Sequence, residues 1–338
     1  MTDDVLCRKE GALGRITLNR PKALNALTAD MCVAMKRALD EWADDAAVKA
    51  VAIDAVAGRA FCAGGDIRHL YDDPTGYAPQ FYADEYRLNA RIKHYPKPYI
   101  ALIDGICMGG GVGVSVHGSH RVVTENVTFA MPETAIGFFP DVGGSYFLPR
   151  LEGELGMYFA LTGIRLKAPD MIYAGIATHF VRAEKLASIV PRLAAGEAPD
   201  KILKELSENT GEATLAENRE NIDRDFAQGS VEIIIDALQG EGAWGRETAA
   251  VLRMKSPTAL KVTYREMREG KNLAFDDCMR MEYRLAVHAV AAHDFREGVR
   301  AVVVDKTQDP KWDPPTVETV NDATVAAYFA PVDNELTF

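Results

Sequence analysis

Leu13, Arg15 and Thr17 alternate with Ile16 and Leu18, and the run stops at Arg20-Pro21, which predicts a strand closed by a turn. Thr28 then reads as an N-cap, because Met31, Met35, Ala38, Leu39 and Trp42 behind it fall on one helical face. Residues 48–56 are rich in Val, Ile and Ala and end before Gly58, the signature of a buried strand. A helix is expected over 78–94, stopped by Pro96 and Pro98, then a buried strand over 99–103 and short strands over 121–124 and 127–129. From residue 184 onward strand signals fade. Helical spacing marks 201–206, 231–238, 247–254, 257–268, 275–288 and 295–303. Strand and helix thus alternate early in the chain, an α/β pattern of helices packed on sheets, and the later part is helical. The polar, Lys- and Glu-rich stretch 196–212 sets a boundary near 200, giving a core of residues 1–200 and a helical region of 201–338. No internal repeat of fixed period is visible.

A chain of 338 residues exceeds the usual single-domain size, which fits a large domain with an appendage or two domains. With 48% hydrophobic and 26% charged residues it has the composition of a globular protein, and its formal charge of −11 argues against nucleic acid or an anionic membrane as partner. Cys7, Cys32, Cys62, Cys107 and Cys278 are scattered, with no Cys-x-x-Cys pair, so metal-site spacing is absent and a reducing compartment is expected. The first residues, Met1-Thr2-Asp3-Asp4, carry neither a signal-peptide pattern nor an Arg-rich transit pattern, and no run approaches the ~20 apolar residues of a membrane span. These readings predict a cytoplasmic protein.

Two glycine clusters each follow an expected strand. Ala60-Phe61-Cys62-Ala63-Gly64-Gly65-Asp66 follows one, and Gly109-Gly110-Gly111 follows the other. Either alone fits a tight turn or close packing of a helix on a sheet. Two together fit a clamp in which inward N–H groups receive charge on a thioester oxygen. Nucleotide loops are excluded: no Lys follows a glycine cluster as a Walker A requires, and Val114 stands where Gly-x-Gly-x-x-Gly needs its third glycine. The serine-hydrolase elbow fails at His117, which takes the place of its last glycine.

Glu133 and Asp141 lie eight residues apart among Met131, Pro132, Phe138, Phe139 and Pro140, poor company for solvated surface charges. Taken singly, Glu133 fits the N-terminus of a helix and Asp141 an N-cap for a helix beginning at Ser145. Beside two glycine clamps, acid chemistry explains both better. No histidine has a partner at metal spacing, and His117 and His120 read as structural.

Asn19-Arg20-Pro21-Lys22-Ala23-Leu24-Asn25-Ala26-Leu27, Phe61-Cys62-Ala63-Gly64-Gly65-Asp66-Ile67 and Gly109-Gly110-Gly111 resemble the enoyl-CoA hydratase/isomerase (crotonase) superfamily. Met131-Pro132-Glu133-Thr134-Ala135-Ile136-Gly137, Phe139-Pro140-Asp141-Val142-Gly143-Gly144, Ser256-Pro257-Thr258-Ala259-Leu260 and the stretch His293 to Ala301 are similar to its 3-hydroxyisobutyryl-CoA hydrolase branch. The resemblance runs from about Gly14 to Pro314. It implies a crotonase-like spiral of ββα units, with a helical C-terminal part that closes the site or mediates trimer packing.

By the same resemblance the N–H groups of Gly65 and Gly110 form the oxyanion hole, and Glu133 and Asp141 are the catalytic acids. Glu85 lines the acyl pocket, so that Glu85, Gly110, Glu133 and Asp141 bind the substrate. Lys22, Ala23, Leu24, Asp66 and Ile67 lie along the CoA. No metal or redox cofactor is implied, the partner is a small acyl-CoA, and a homo-oligomer is compatible. Hydratases of the family carry a second glutamate two residues beyond the glycine run, where this chain has Gly113, and a glycine where it has Asp141. That exchange implies thioester hydrolysis of 3-hydroxyisobutyryl-CoA, or of 3-hydroxypropionyl-CoA, in valine breakdown. The alternatives are a short-chain enoyl-CoA hydratase or isomerase working with Glu133 alone, and a non-catalytic binding or RNA-associated member.

Overall fold

The computed structural model describes residues 2–72 and 76–338. Its chain divides into two compact units that interleave along the sequence. The first comprises Met1–Asp66, Asp84–Ala130 and Arg165–Leu215, and the second Ile67–Ala83, Met131–Ile164 and Ala216–Phe338. Compactness therefore does not follow chain order: residue 200 lies inside the first unit, and the helical unit also takes in residues 67–83 and 131–164.

The first unit holds two sheets. Among the described residues one has six strands, in the order β1 (Val5–Glu10), β2 (Leu13–Leu18), β3 (Ala50–Ala55), β5 (Tyr99–Ile103), β7 (His120–Val123) and β9 (His179–Phe180). The other has three, β4 (Ala60–Cys62), β6 (Ile106–Met108) and β8 (Thr128–Ala130). Among the strand ladders of the described residues, β1 and β2 pair antiparallel and the others are parallel. Three successive strand pairs, β3/β4, β5/β6 and β7/β8, each send their first strand to the large sheet and their second to the small one. That repeated step is a spiral turn. It leaves no trace as a sequence repeat because it needs only short apolar strands and turns.

Parallel strands covered on both faces are apolar throughout, and every residue of β5 is buried, as its composition predicts. Leu13, Ala50, Ala52, Ile100, Leu102 and Val122 form one core cluster with Ile189, Leu193, Ile202 and Leu203 of the helices Ile189–Ala194 and Pro199–Leu206. Thr28 caps the helix Ala29–Asp44 as expected, its hydroxyl accepting from the N–H of Met31 at 3.3 Å. A Cβ at Gly14 would meet the Trp42 ring, so glycine allows that helix to lie close against β2.

The second unit is helical, with Leu155–Thr162, Val231–Gln239, Gly242–Arg253, Pro257–Gly270 and Phe275–Ala291 as its longer elements. The helix expected over 247–254 starts earlier, at Gly242. Gly242 and Gly245 weaken the local helical signal, yet a Cβ at Gly245 would strike the Leu238 carbonyl, so close packing requires glycine within the helix.

Candidate functional site

In the first unit the turn after Leu18 is sewn to the turn after β4. Buried Asn25 donates from Nδ2 to the Ala60 carbonyl at 2.9 Å and accepts from the Arg20 N–H at 2.8 Å. Leu24 and Asn25 both have positive φ, 51° and 56°, which turns the chain so that the Ala63 N–H reaches the Leu24 carbonyl at 3.0 Å. The Leu27 N–H donates to the Gly64 carbonyl at 2.8 Å, and the Asp66 N–H to the Leu27 carbonyl at 2.9 Å. Arg20 closes the fastening through its ion pair with Asp66 at 3.0 Å. Lys22 and Ala23 lie in the 3₁₀ turn Pro21–Ala23, and Leu24, which follows it, is brought beside Ala63. Ile67 opens the short helix Ile67–Asp72, which belongs to the second unit.

Gly64 sits at φ 113°, a conformation that a side chain would strain, and a Cβ on it would lie 4.0 Å from the Gly110 N. The two glycine clusters are thus neighbours. Neither the Gly65 N–H nor the Gly110 N–H donates to a turn or loop carbonyl among the described residues. A Cβ on Gly110 would collide with Glu85 Oε1 and lie 3.1 Å from Leu27 Cδ1. Glu85, 2% exposed on the helix Ala78–Lys93, therefore lies against Gly110.

Glu133 and Asp141 belong to the second unit and are 7% and 5% exposed. Glu133 begins the 3₁₀ turn Glu133–Ile136, which Gly137 ends at φ 70°. Two glycines let other segments close on this turn, since a Cβ at Gly137 would strike the Asp294 backbone and one at Gly298 the Ile136 backbone. The Ser256 N–H donates to the Thr134 carbonyl at 3.1 Å. The stretches around Ser256 and His293 thus buttress the turn that carries Glu133. Apolar rings back it too, Phe138 stacking on Phe139 at 4.4 Å and on Tyr82 at 5.3 Å.

Asp141 does not cap the following helix, contrary to the N-cap reading. The helix is Gly144–Phe147, its N-cap residue is Gly143, and the carboxyl that accepts from the Gly143 and Ser145 N–H groups is Glu282, from the helix Phe275–Ala291. Glu282 and Glu266 are fully buried acids that the sequence reading missed. Burial pushes the Glu282 carboxyl up to about 8 against the hydrogen bonds from Ser145 and Gly143, which favour its charged form. Burial also raises Glu266, and the negative charges of Glu282, Asp141 and Glu133 add to the rise. Lys255 is pulled down by burial while the negative charge of Glu133 opposes the shift, so the two lie within electrostatic reach of each other. A signal for both acids existed in the helical spacing: Glu282 sits between Cys278 and Leu285, and Glu266 four residues after Val262.

Ser119, His120 and Asp200 stand at distances reminiscent of a hydrolytic triad, 2.8 Å and 3.0 Å. The Ser119 hydroxyl, however, bonds the Tyr99 backbone at both N–H and carbonyl, a fastening between strands. Among the described residues no three His, Cys, Asp or Glu side chains converge as metal ligands would.

Residues 13–329 match the family described as enoyl-CoA hydratase/isomerase. Curated relatives include the protein named 3-hydroxyisobutyryl-CoA hydrolase, mitochondrial, of Xenopus tropicalis, 47% identical over 98% of this chain and 90% of its own length. Its namesake of Homo sapiens is 46% identical over 97% and 88%. Among solved structures, a carnitinyl-CoA dehydratase from Mycobacterium thermoresistibile matches with a TM-score of 0.95 and 43% identity, covering 100% of this chain and 99% of its own. An enoyl-CoA hydratase from Rhodobacter sphaeroides 2.4.1 matches with 0.92 and 38%, covering 99% and 100%. The fold is that of the crotonases, and the chain belongs to the enoyl-CoA hydratase/isomerase family, in the branch whose curated members are named 3-hydroxyisobutyryl-CoA hydrolase.

Proposed function

We propose that the protein hydrolyses the thioester of 3-hydroxyisobutyryl-CoA to the free hydroxy acid and CoA, a step of valine catabolism, and accepts 3-hydroxypropionyl-CoA as well. The observation that carries this is the placement of acids. Glu133 and Asp141 are buried in one unit, while the hydratases' second glutamate is replaced by Gly113, the last residue of the short helix Gly110–Gly113. Two cooperating carboxylates for adding water across a double bond are thus not the pair present. The names of the curated relatives support the same reading.

In this reading the N–H groups of Gly65 and Gly110 take up charge on the thioester oxygen, a contribution of about 100- to 1,000-fold per donor. Glu133 attacks the carbonyl carbon, CoA leaves as the thiolate, and water opens the resulting anhydride at the glutamyl carbon. Asp141 holds the substrate's 3-hydroxyl, and Glu85 lines the acyl pocket at Gly110. Lys22, Ala23, Leu24, Asp66 and Ile67 contact the CoA, and all the residues given a role here fall within residues 1–200. No cofactor takes part, and a homo-oligomer is compatible with this reading.

Cys7, Cys32, Cys62, Cys107 and Cys278 are free thiols, which supports a reducing compartment. No helix among the described residues is long and apolar enough to cross a membrane. The cytoplasm is one such compartment; the curated relatives are named mitochondrial, and cell fractionation distinguishes the two.

A panel of short acyl-CoAs assayed by release of free thiol tests the activity. Turnover is expected with 3-hydroxyisobutyryl-CoA, and its absence across the panel overturns the reading. The second reading, hydration or dehydration, is favoured by the two solved relatives titled dehydratase and hydratase. It predicts loss of crotonyl-CoA without thiol release.

A further inference from the structure

The loop bearing Asp141 is not held by its own conformation. Val142 adopts φ 52° and Gly143 φ 88°. A β-branched residue in the left-handed region is costly, and such strain persists only where surrounding contacts over-determine it. Those contacts converge on one side chain. Glu282 Oε2 accepts from the Gly143 N–H at 2.8 Å, and Oε1 accepts from the Ser145 N–H at 3.0 Å and the Ser145 hydroxyl at 2.5 Å. The carboxyl is fully buried, and a Cβ at Gly270 would strike the Ser145 carbonyl, so the clamped segment has no room to relax. Glu266, whose two carboxyl oxygens have no hydrogen-bond partner among the described residues, lies within electrostatic reach of Glu282, Asp141 and Glu133.

We propose that Glu282 is a positioning residue for the reaction: by clamping the backbone at Gly143 and Ser145 it fixes the Asp141 carboxylate where it selects acyl groups that carry a 3-hydroxyl. This rests on the reading of Asp141 as the partner of that hydroxyl. The three donors are shared between the two oxygens of one carboxyl group, and an amide in its place would turn an N–H toward an N–H. A buried acid held only for packing would not be aimed at three polar groups within four residues of Asp141.

The test compares wild type, Glu282→Gln and Ser145→Ala on 3-hydroxyisobutyryl-CoA and on isobutyryl-CoA, the latter read as turnover or as competitive inhibition. Hydrogen exchange over residues 141–147 is measured alongside. Glu282→Gln is expected to lower kcat/KM for the hydroxylated substrate roughly ten- to a hundredfold, with little change toward isobutyryl-CoA, and to speed exchange in the loop. Ser145→Ala, which removes one donor and spares the fold, is expected to move selectivity the same way by a smaller factor. Equal loss on both substrates, or an unchanged ratio in Ser145→Ala together with unchanged exchange in Glu282→Gln, overturns the proposal. A wild type that shows no preference for the hydroxyl overturns instead the role of Asp141 on which it rests.

Discussion

The Ser256 hydroxyl donates to Asp294 Oδ2 at 2.5 Å, across 38 residues of sequence. Asp294 is 3% exposed and also accepts from the Asp313 N–H at 2.9 Å, while Ser256 caps its own helix by accepting from the Ala259 N–H at 3.1 Å. Through the Ser256 N–H to the Thr134 carbonyl, this pair reaches the turn that carries Glu133. Replacing Ser256 with Ala removes a cap and leaves a buried carboxylate oxygen short of a donor. The expected loss is about 1–3 kcal/mol of stability, read from urea or thermal unfolding. Unfolding indistinguishable from wild type would show the pair to be incidental.

Asp141→Gly restores the residue that hydratases carry at this position. Thiol release from 3-hydroxyisobutyryl-CoA should largely disappear while affinity for CoA, measured by calorimetry, stays near wild type. An unchanged kcat/KM would remove Asp141 from the reaction.

Gly110→Val places a side chain where even a Cβ meets Glu85 Oε1 and Leu27. Turnover should fall by about two orders of magnitude or more, since the N–H donor and the acyl pocket are displaced together. A folded variant with wild-type kcat would confine Gly110 to a packing role.

Glu282 should also write itself into the pH dependence of stability. Its folded-state carboxyl is raised to about 8, above the ordinary glutamate value of 4.5, so the folded protein binds the extra proton between those pH values. The stabilisation is fully present below the unfolded value, declines as pH rises through that window with a slope of at most about 1.4 kcal/mol per pH unit, and is gone above the folded value. Glu266, raised in the same sense, adds to the decline. In Glu282→Gln the slope between pH 5 and 8 should be shallower; denaturant titrations at several pH values decide, and an identical slope would argue against the shift.

The route through Glu133 is open to an isotope test. Glu133→Ala should be nearly inactive whether the carboxylate attacks or activates water, so it does not discriminate. A single turnover in ¹⁸O-water does. Attack by Glu133 followed by opening of the anhydride at the glutamyl carbon leaves the label in Glu133 and an unlabelled oxygen in the product. Label wholly in the product, with none in the enzyme, would favour direct attack by water.

The sequence by itself determined the alternation of buried strands and amphipathic helices, the cap at Thr28, the neighbourhood of both glycine clusters to strand ends, and Glu133 and Asp141 as buried acids. Each of these is local: burial pattern, turn chemistry and capping act over a few residues and leave their period in the chain. Tertiary structure alone decided what depends on distant segments meeting. Gly64 and Gly110 stand side by side because two parallel strands, β4 and β6, end together. Compact units interleave because residues 67–83 and 131–164 find their apolar partners among the later helices. The capping alternative for Asp141 fails because Glu282, 139 residues after Gly143, reaches those N–H groups instead. A carboxylate on an apolar helical stripe announces that something must satisfy it, but its partner is chosen only when the helices pack.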